Sequence, residues 1–266
     1  MLAIFQFAVG AAAALLAMRQ RRIYQQALRL GSATLETLLN AIDANDEDTG
    51  QHVRRVAQYA LELADAAGLS EHEKRSVERV ALFHDIGKIH EALFDILHDP
   101  SKLSPDAKRA IMTHPLRGAE VLEPLCAFYP DLSAGVLAHH ERWDGRGYPR
   151  GRKGRHIPQA ARIVAIVDAF DAITHRRRYS RARSLREARE ALLAGRGTQF
   201  DPDLVDLFLS PVVQESIAKI RVEPGDRGKR HNRRGERVQS APDLIFRWRP
   251  AKPARRSPRR RRRTAS

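Results

Sequence analysis

His84, Asp85 and Lys88 stand in the apolar stretch Ala81-Leu82-Phe83-His84-Asp85-Ile86-Gly87-Lys88, which puts an imidazole, a carboxylate and an ammonium on what reads as one short helix. Neighbours on a helix lie about 100° apart, so His84 and Asp85 reach one point only if their side chains converge from adjacent rows. Lys88 comes one turn after His84 and falls on the same side. Charged groups are seldom buried unless paired or bound to metal. The set amid Val80, Leu82, Phe83, Ile86 and Ile89 is therefore either a buried ion pair or part of a ligand set.

Similar groups recur along the chain. His52 opens a helix four residues after Asp48, so the two share a face if that helix begins early enough. His114 precedes Pro115, which favours an extended backbone at a helix start and a ring turned away from the helix. His139 and His140 are adjacent and followed by Glu141, and Asp168 sits inside the apolar run Ile163 to Phe170. Each alone fits a satisfied polar residue, but several together in apolar helices favour metal. Imidazole with carboxylate suits iron, manganese or zinc rather than calcium or magnesium. His52, His84, Asp85, His114, His139, His140 and Asp168 are too many ligands for one such ion, and two ions bridged by Asp85 would use them. Paired metals about 3.5–4 Å apart suit phosphoester hydrolysis. His72, His90, His98, His156, His175 and His231 read as non-ligands.

One loop stands out between the helices, Trp143-Asp144-Gly145-Arg146-Gly147-Tyr148-Pro149-Arg150-Gly151-Arg152-Lys153-Gly154. Its glycines let backbone approach a ligand closely, and its arginines and tyrosine suit phosphate and base. A plain surface loop is the alternative.

The elements that must position these residues read as helices throughout. No alternating strand pattern of useful length occurs, so the predicted fold class is all-α. Helical periodicity predicts helices over 23–44, 51–67, from Ser70 through the His84-Asp85 pair, 128–141, 158–175, 184–194 and 203–209. Ser70 with Glu73 forms a capping-box pattern, and Gly68 marks a helix end. Pro100, Pro105 and Pro115 mark further helix starts. The 266 residues suffice for a core without disulfides, and the one cysteine, Cys126, reads as a small apolar residue in a reducing compartment.

Charge is divided unevenly. Of the net +15, residues 219–266 carry +14, from 18 Lys or Arg against 4 Asp or Glu. Basicity thus belongs to an Arg/Pro-rich tail that is predicted to be disordered, with RNA, DNA or anionic lipid as candidate contacts. At the other end, residues 1–19 hold the apolar run Leu2 to Met18, the lower limit of a bilayer span, followed by Arg19, Arg21 and Arg22. The expected organisation is a transmembrane helix over 1–19, a linker helix over 20–32, a catalytic body over 33–218 on the cytoplasmic side, and the tail. A helix buried against a partner is the other reading of the run.

The order His, His-Asp and late Asp is the ligand pattern of the HD phosphohydrolases. With HDIGK, THPLRGAEVL, HHERWDGRGYPRG, IPQAARIVAIVDAFDAIT and GTQFDPDLV in order over about residues 33–210, the chain resembles the HD-GYP family of cyclic-di-GMP phosphodiesterases. The resemblance implies an HD-domain-like helical bundle with an additional GYP segment. It implies one metal on His52, His84, Asp85 and Asp168, and a second on His114, His139 and His140 with Asp85 bridging. Asp48 is a weaker candidate for a third. The metals implied are iron or manganese. Lys88 resembles the lysine that contacts the scissile phosphate, and Gly147, Tyr148 and Arg177 would lie near the nucleotide. The implied activity opens cyclic di-GMP to pGpG, with GMP as a further product, and lowers a bacterial second messenger. A GGDEF-domain partner and a homodimer are associations the resemblance leaves open. Arg178 and Ser180 depart from the family's RPYK segment, which keeps another nucleotide phosphoester open as substrate, alongside a regulatory domain that binds without turnover.

Overall fold

Val53, Val56, Ala57, Ala60 and Ala64 recur at three- and four-residue spacing and are all buried, and this stripe draws the other helices onto α2 (Glu47–Ala66). The computed structural model describes residues 2–45, 47–89, 105–175 and 182–220, without the side chains of 2–5, 8, 11, 45, 47, 105, 107 and 108. Gly68, at φ +69, lets the chain leave α2, and the Ser70–Glu73 capping box starts α3 (Glu71–Phe83) as expected.

α3 ends earlier than the sequence suggests. His84 is its C-cap, and Ile86–Ile89 form a 3₁₀ turn, so His84, Asp85 and Lys88 do not share one α-helix. The cause is close backbone contact. A Cβ on Gly87 would stand 2.1 Å from the carbonyl oxygen of His114 and 2.6 Å from the amide nitrogen of Gly118. The tighter turn places Lys88 three residues from Asp85 on one side, rather than four from His84.

After α4 (Pro105–Ile111), helix α5 (His114–Leu122) begins with His114 itself and Pro115 second. The expected extended backbone at His114 is not found. Its Nδ1–H donates to the Ile111 carbonyl oxygen at 2.7 Å, which offsets the steric preference of a residue before proline. Helix α6 (Leu132–Ala138) is shorter than expected. It packs closely on α3, where a Cβ on Gly135 would lie 2.4 Å from Val80 Cγ2.

α7 (Gln159–Thr174) is the apolar centre, with Ala160, Ala161, Ile163, Val164, Ile166, Val167 and Phe170 all buried. α8 (Leu185–Gly195) starts on a second capping box, Ser184–Glu187, and α9 (Pro202–Phe208) starts on Asp201. α10 (Pro211–Ala218) escaped the sequence reading, because only two of its side chains, Val213 and Ile217, are buried.

The N-terminal run, the linker and the first body helix form one helix, α1 (Leu2–Asn45). Leu35, Leu39 and Ile42 are buried, whereas Phe7, Leu15, Leu16, Ile23, Tyr24 and Leu30 are exposed. Among the described residues no helix is long and apolar enough to cross a membrane. No β-strand occurs among them either, only an isolated bridge between Arg196 and Phe200, in keeping with the all-α expectation. Arg177, Arg178, Ser180, His90, His98 and the tail from residue 221 lie outside the described residues.

Candidate metal centre

Helix ends deliver most of the site. His84 caps α3 and Asp85 follows it, His114 opens α5, His139 caps α6 and His140 follows, while His52 and Asp168 project from within α2 and α7. They meet in two adjoining clusters, His52 with His84 and Asp85, and His114 with His139 and His140. Asp168 joins the first, its Oδ1 lying 3.3 Å from His52 Nε2 and 4.0 Å from His84 Nε2. Asp85 faces both clusters, with Oδ2 3.6 Å from His84 Nε2 and Oδ1 3.4 Å from His114 Nε2. All seven residues singled out in the sequence lie near one another.

The tautomers are fixed by the backbone. His84, His114 and His139 each place Nδ1 within 2.8, 2.7 and 2.6 Å of the carbonyl oxygen three residues earlier. A carbonyl oxygen only accepts, so each Nδ1 carries the proton and each Nε2 is left with its lone pair for a metal. Two consequences test whether metal fits. His84 Nε2 is buried with no hydrogen-bond partner. The Nε2 atoms of His114 and His139 stand 3.1 Å apart, lone pair toward lone pair. Metal–imidazole bonds of about 2.0–2.1 Å put ligand atoms on a common ion about 3–3.4 Å apart, so a cation in each cluster would satisfy both oddities.

Electrostatics agree. Burial lowers the pKa of His139 and His140 to about 3 each, helped by neighbouring imidazoles, and that of His114 to about 4 against the opposing pull of Asp85. The rings are neutral and able to ligate. Burial alone would raise the Asp85 carboxyl, but the Lys88 ammonium beside it, ahead of the surrounding imidazoles, holds it well below the usual carboxylate range. Asp168 is likewise held well below the usual carboxylate range, the adjoining His52 and His84 outweighing burial. Lys88 Nζ donates to Asp85 Oδ2 at 2.6 Å and keeps its side chain 25% exposed.

Residues that the sequence reading passed over complete the frame. Asp171, fully buried on α7, accepts from His52 Nδ1 at 2.6 Å, from Arg55 Nε and Nη2 at 2.7 and 3.0 Å, and from His175 Nδ1 at 3.0 Å. Its signal was present, a second carboxylate three residues after Asp168 in the same apolar helix. Glu141 is buried, and its two oxygens accept the backbone N–H groups of Arg150 and Arg152 at 2.8 and 3.0 Å. The glycine-rich loop is thereby clamped beside the histidines.

Two loop residues also have roles within the fold. A Cβ on Gly147 would lie 2.3 Å from the amide nitrogen of Arg142 and 2.5 Å from Glu141 Cα, so this glycine lets the loop close on itself. Tyr148 stacks on His140, with centroids 4.9 Å apart and planes at 25°. Burial, and then the charges of Asp85 and Asp168, push its phenol up, so it stays protonated. A cavity of about 230 Å³ beside the ligands is lined by His139, His140, Glu141, Arg142, Ala165, Asp168, Ala169 and Gln199. Asp48 is exposed on the first turn of α2, outside both clusters, and Arg177 lies outside the described residues.

A family profile for the HD domain matches residues 36–204. The chain is 41% identical over 178 residues to the "Cyclic di-GMP phosphodiesterase response regulator RpfG" of Xanthomonas campestris, covering 66% of this chain and 47% of that protein. It is 39% identical over 174 residues to the "3'3'-cGAMP-specific phosphodiesterase 2" of Vibrio cholerae, covering 65% of this chain and 33% of that protein. It thus spans a third to about half the length of these relatives. A crystal structure of the cyclic GMP-AMP phosphodiesterase V-cGAP3 of V. cholerae shares the fold, at TM-score 0.51 and 23% identity over 70% of this chain and 47% of that one. With the HD pair at 84–85 among the clustered ligands and the GYP tyrosine stacked on one of them, the chain belongs to the HD-domain family, in its HD-GYP branch.

Proposed function

We propose that the chain is a metal-dependent phosphodiesterase that opens cyclic di-GMP to linear pGpG, with a further cut to GMP open to the same site. The observation that carries this reading is the convergence of six imidazole and carboxylate side chains around Asp85, beside a cavity. His52, His84 and Asp168 would hold one divalent cation and His114, His139 and His140 the other, with Asp85 shared. Iron or manganese suits the mixed nitrogen and oxygen set. Such a pair supplies acidified water and neutralises charge building on a phosphoryl oxygen.

The chain's own residues do the rest. Lys88, held by Asp85 and partly exposed, presents an ammonium to a phosphate oxygen. Tyr148 keeps His140 in place by stacking, and its protonated phenol can donate to the nucleotide. A second reading, 3'3'-cGAMP as substrate, is favoured by the specificity named for the Vibrio relative and by Arg178 and Ser180 in place of the family's RPYK residues.

The sequence alone supports a cytoplasmic body held at the inner membrane by Leu2 to Met18. Fractionation of a chain lacking residues 2–18 tests that anchoring. For the activity, the purified chain is loaded with Mn(II) or Fe(II) without air and given each cyclic dinucleotide separately. Linear product from one of them is expected. Its absence from both overturns the proposal.

A further inference from the structure

We propose that Asp171 is a positioning residue for one half of the paired-metal site. It sets the ligating tautomer of His52, and so tunes the His52, His84 and Asp168 half while leaving the His114, His139 and His140 half unaffected; this rests on the two-metal reading above. The contrast among the histidines carries the inference. His84, His114 and His139 are each oriented by a carbonyl three residues earlier in their own chain segment, which no side-chain change removes. His52 is oriented by a side chain 119 residues away, across the α2–α7 contact.

Asp171 is committed to that contact. It is fully buried and both oxygens are used, Oδ2 by His52 Nδ1 and Arg55 Nη2, and Oδ1 by Arg55 Nε and His175 Nδ1. Arg55 lies three residues after His52 on α2, so one helix offers both the ring and the cation that aligns the acid for it. With the proton on Nδ1, His52 Nε2 can turn a lone pair to the metal, and it lies 3.3 Å from its fellow ligand atom Asp168 Oδ1. α7 therefore supplies a ligand at 168 and, one turn on, the acid that makes another residue a ligand.

The substitution Asp171→Asn would reverse this. Arg55 offers only donors and bonds Oδ1 more closely than Oδ2, at 2.7 against 3.0 Å, so the new amide would keep its oxygen at the Oδ1 place and turn its NH2 toward His52. Nδ1 must then accept, the proton moves to Nε2, and the atom meant to bind metal is blocked. Comparable loss of the orienting partner costs a metal site about 10–100-fold in affinity.

The test uses the full chain and Asp171→Asn, each stripped by chelator and matched by circular dichroism. Nitrogen-detected NMR of the metal-free proteins, at a pH high enough that the ring is neutral, reads the His52 tautomer, expected as Nδ1–H in the native chain and Nε2–H in the variant. Titration with Mn(II) alone is expected to show two equivalents in the native chain. In the variant one should weaken by about 10–100-fold while the other is unchanged. Arg55→Met, which leaves the acid in place, is expected to shift the tautomer less. Nδ1–H in both proteins overturns the proposal, as does equal weakening of both equivalents or of neither. A native chain that binds no Mn(II) would instead refute the two-metal reading, and the tautomer measurement would still decide the role of Asp171.

Discussion

The two carboxylate oxygens of Asp85 look in different directions, Oδ1 toward His114 at 3.4 Å and Oδ2 toward His84 at 3.6 Å. This residue faces both clusters through separate atoms. Asp85→Ala is therefore expected to remove both metals and all turnover, whereas His114→Ala should spare the first. Metal content by mass spectrometry checks this. Full metal and full activity in Asp85→Ala would contradict the bridging role.

Lys88 contacts Asp85 but ligates nothing, because an ammonium is a donor only. Lys88→Ala is expected to retain metal and lose about 10²–10³ in kcat, the size of losing one charged contact to a developing oxyanion. Steady-state kinetics at equal metal content decides it. An unchanged kcat would remove Lys88 from the chemistry.

Acid should destabilise the metal-free protein well above the carboxylate range. Folded His139 and His140 titrate at about 3 and His114 at about 4, against 6.5 for an ordinary histidine. Below 6.5 the unfolded chain takes up protons that the folded chain refuses, so stability is full above that pH and falls as pH drops toward 3–4. The low carboxyls of Asp85 and Asp168 add the same sign only at lower pH, since their stabilisation is lost below the ordinary value of 3.8. Urea midpoints of chelated protein are expected to be lower at about pH 5 than at about pH 7.5, on either side of the ordinary histidine value. Equal midpoints would mean that the rings are not buried neutral.

Gly147→Ala should act through the fold. The added Cβ would meet backbone at 2.3 and 2.5 Å, where no flexible side chain can give way. A cost of about 1–3 kcal/mol is expected, with melting lowered by about 2–4 °C for each. Because the displaced segment carries Tyr148, turnover should fall as well. A variant with native melting would show that the loop has room.

Most of the clustered residues were legible because they break a local rule, a titratable group in an apolar segment or against a proline; His52, between Gln51 and Val53 with Arg54 and Arg55 following, breaks none. The convergence of His52, His114 and His139 is a long-range fact, and only the family resemblance carried it at the level of sequence. Asp171 broke the same rule as Asp168 and was passed over, since its partners Arg55 and His52 lie on another helix. The end of α3 at Phe83 was hidden because its cause is backbone proximity, Gly87 against His114 and Gly118. The packing of Gly147 against Arg142 and Glu141 and the stacking of Tyr148 on His140 left no mark in the sequence, because both depend on how the loop folds back. α10 buries too few side chains to leave a periodic mark.

Metal counted per chain, in protein purified without air, tests the paired-cation site most directly. Two tightly bound transition-metal ions in the native chain, and none in Asp85→Ala, is the expected result. A native chain that holds no metal, or holds the same number without Asp85, would contradict it.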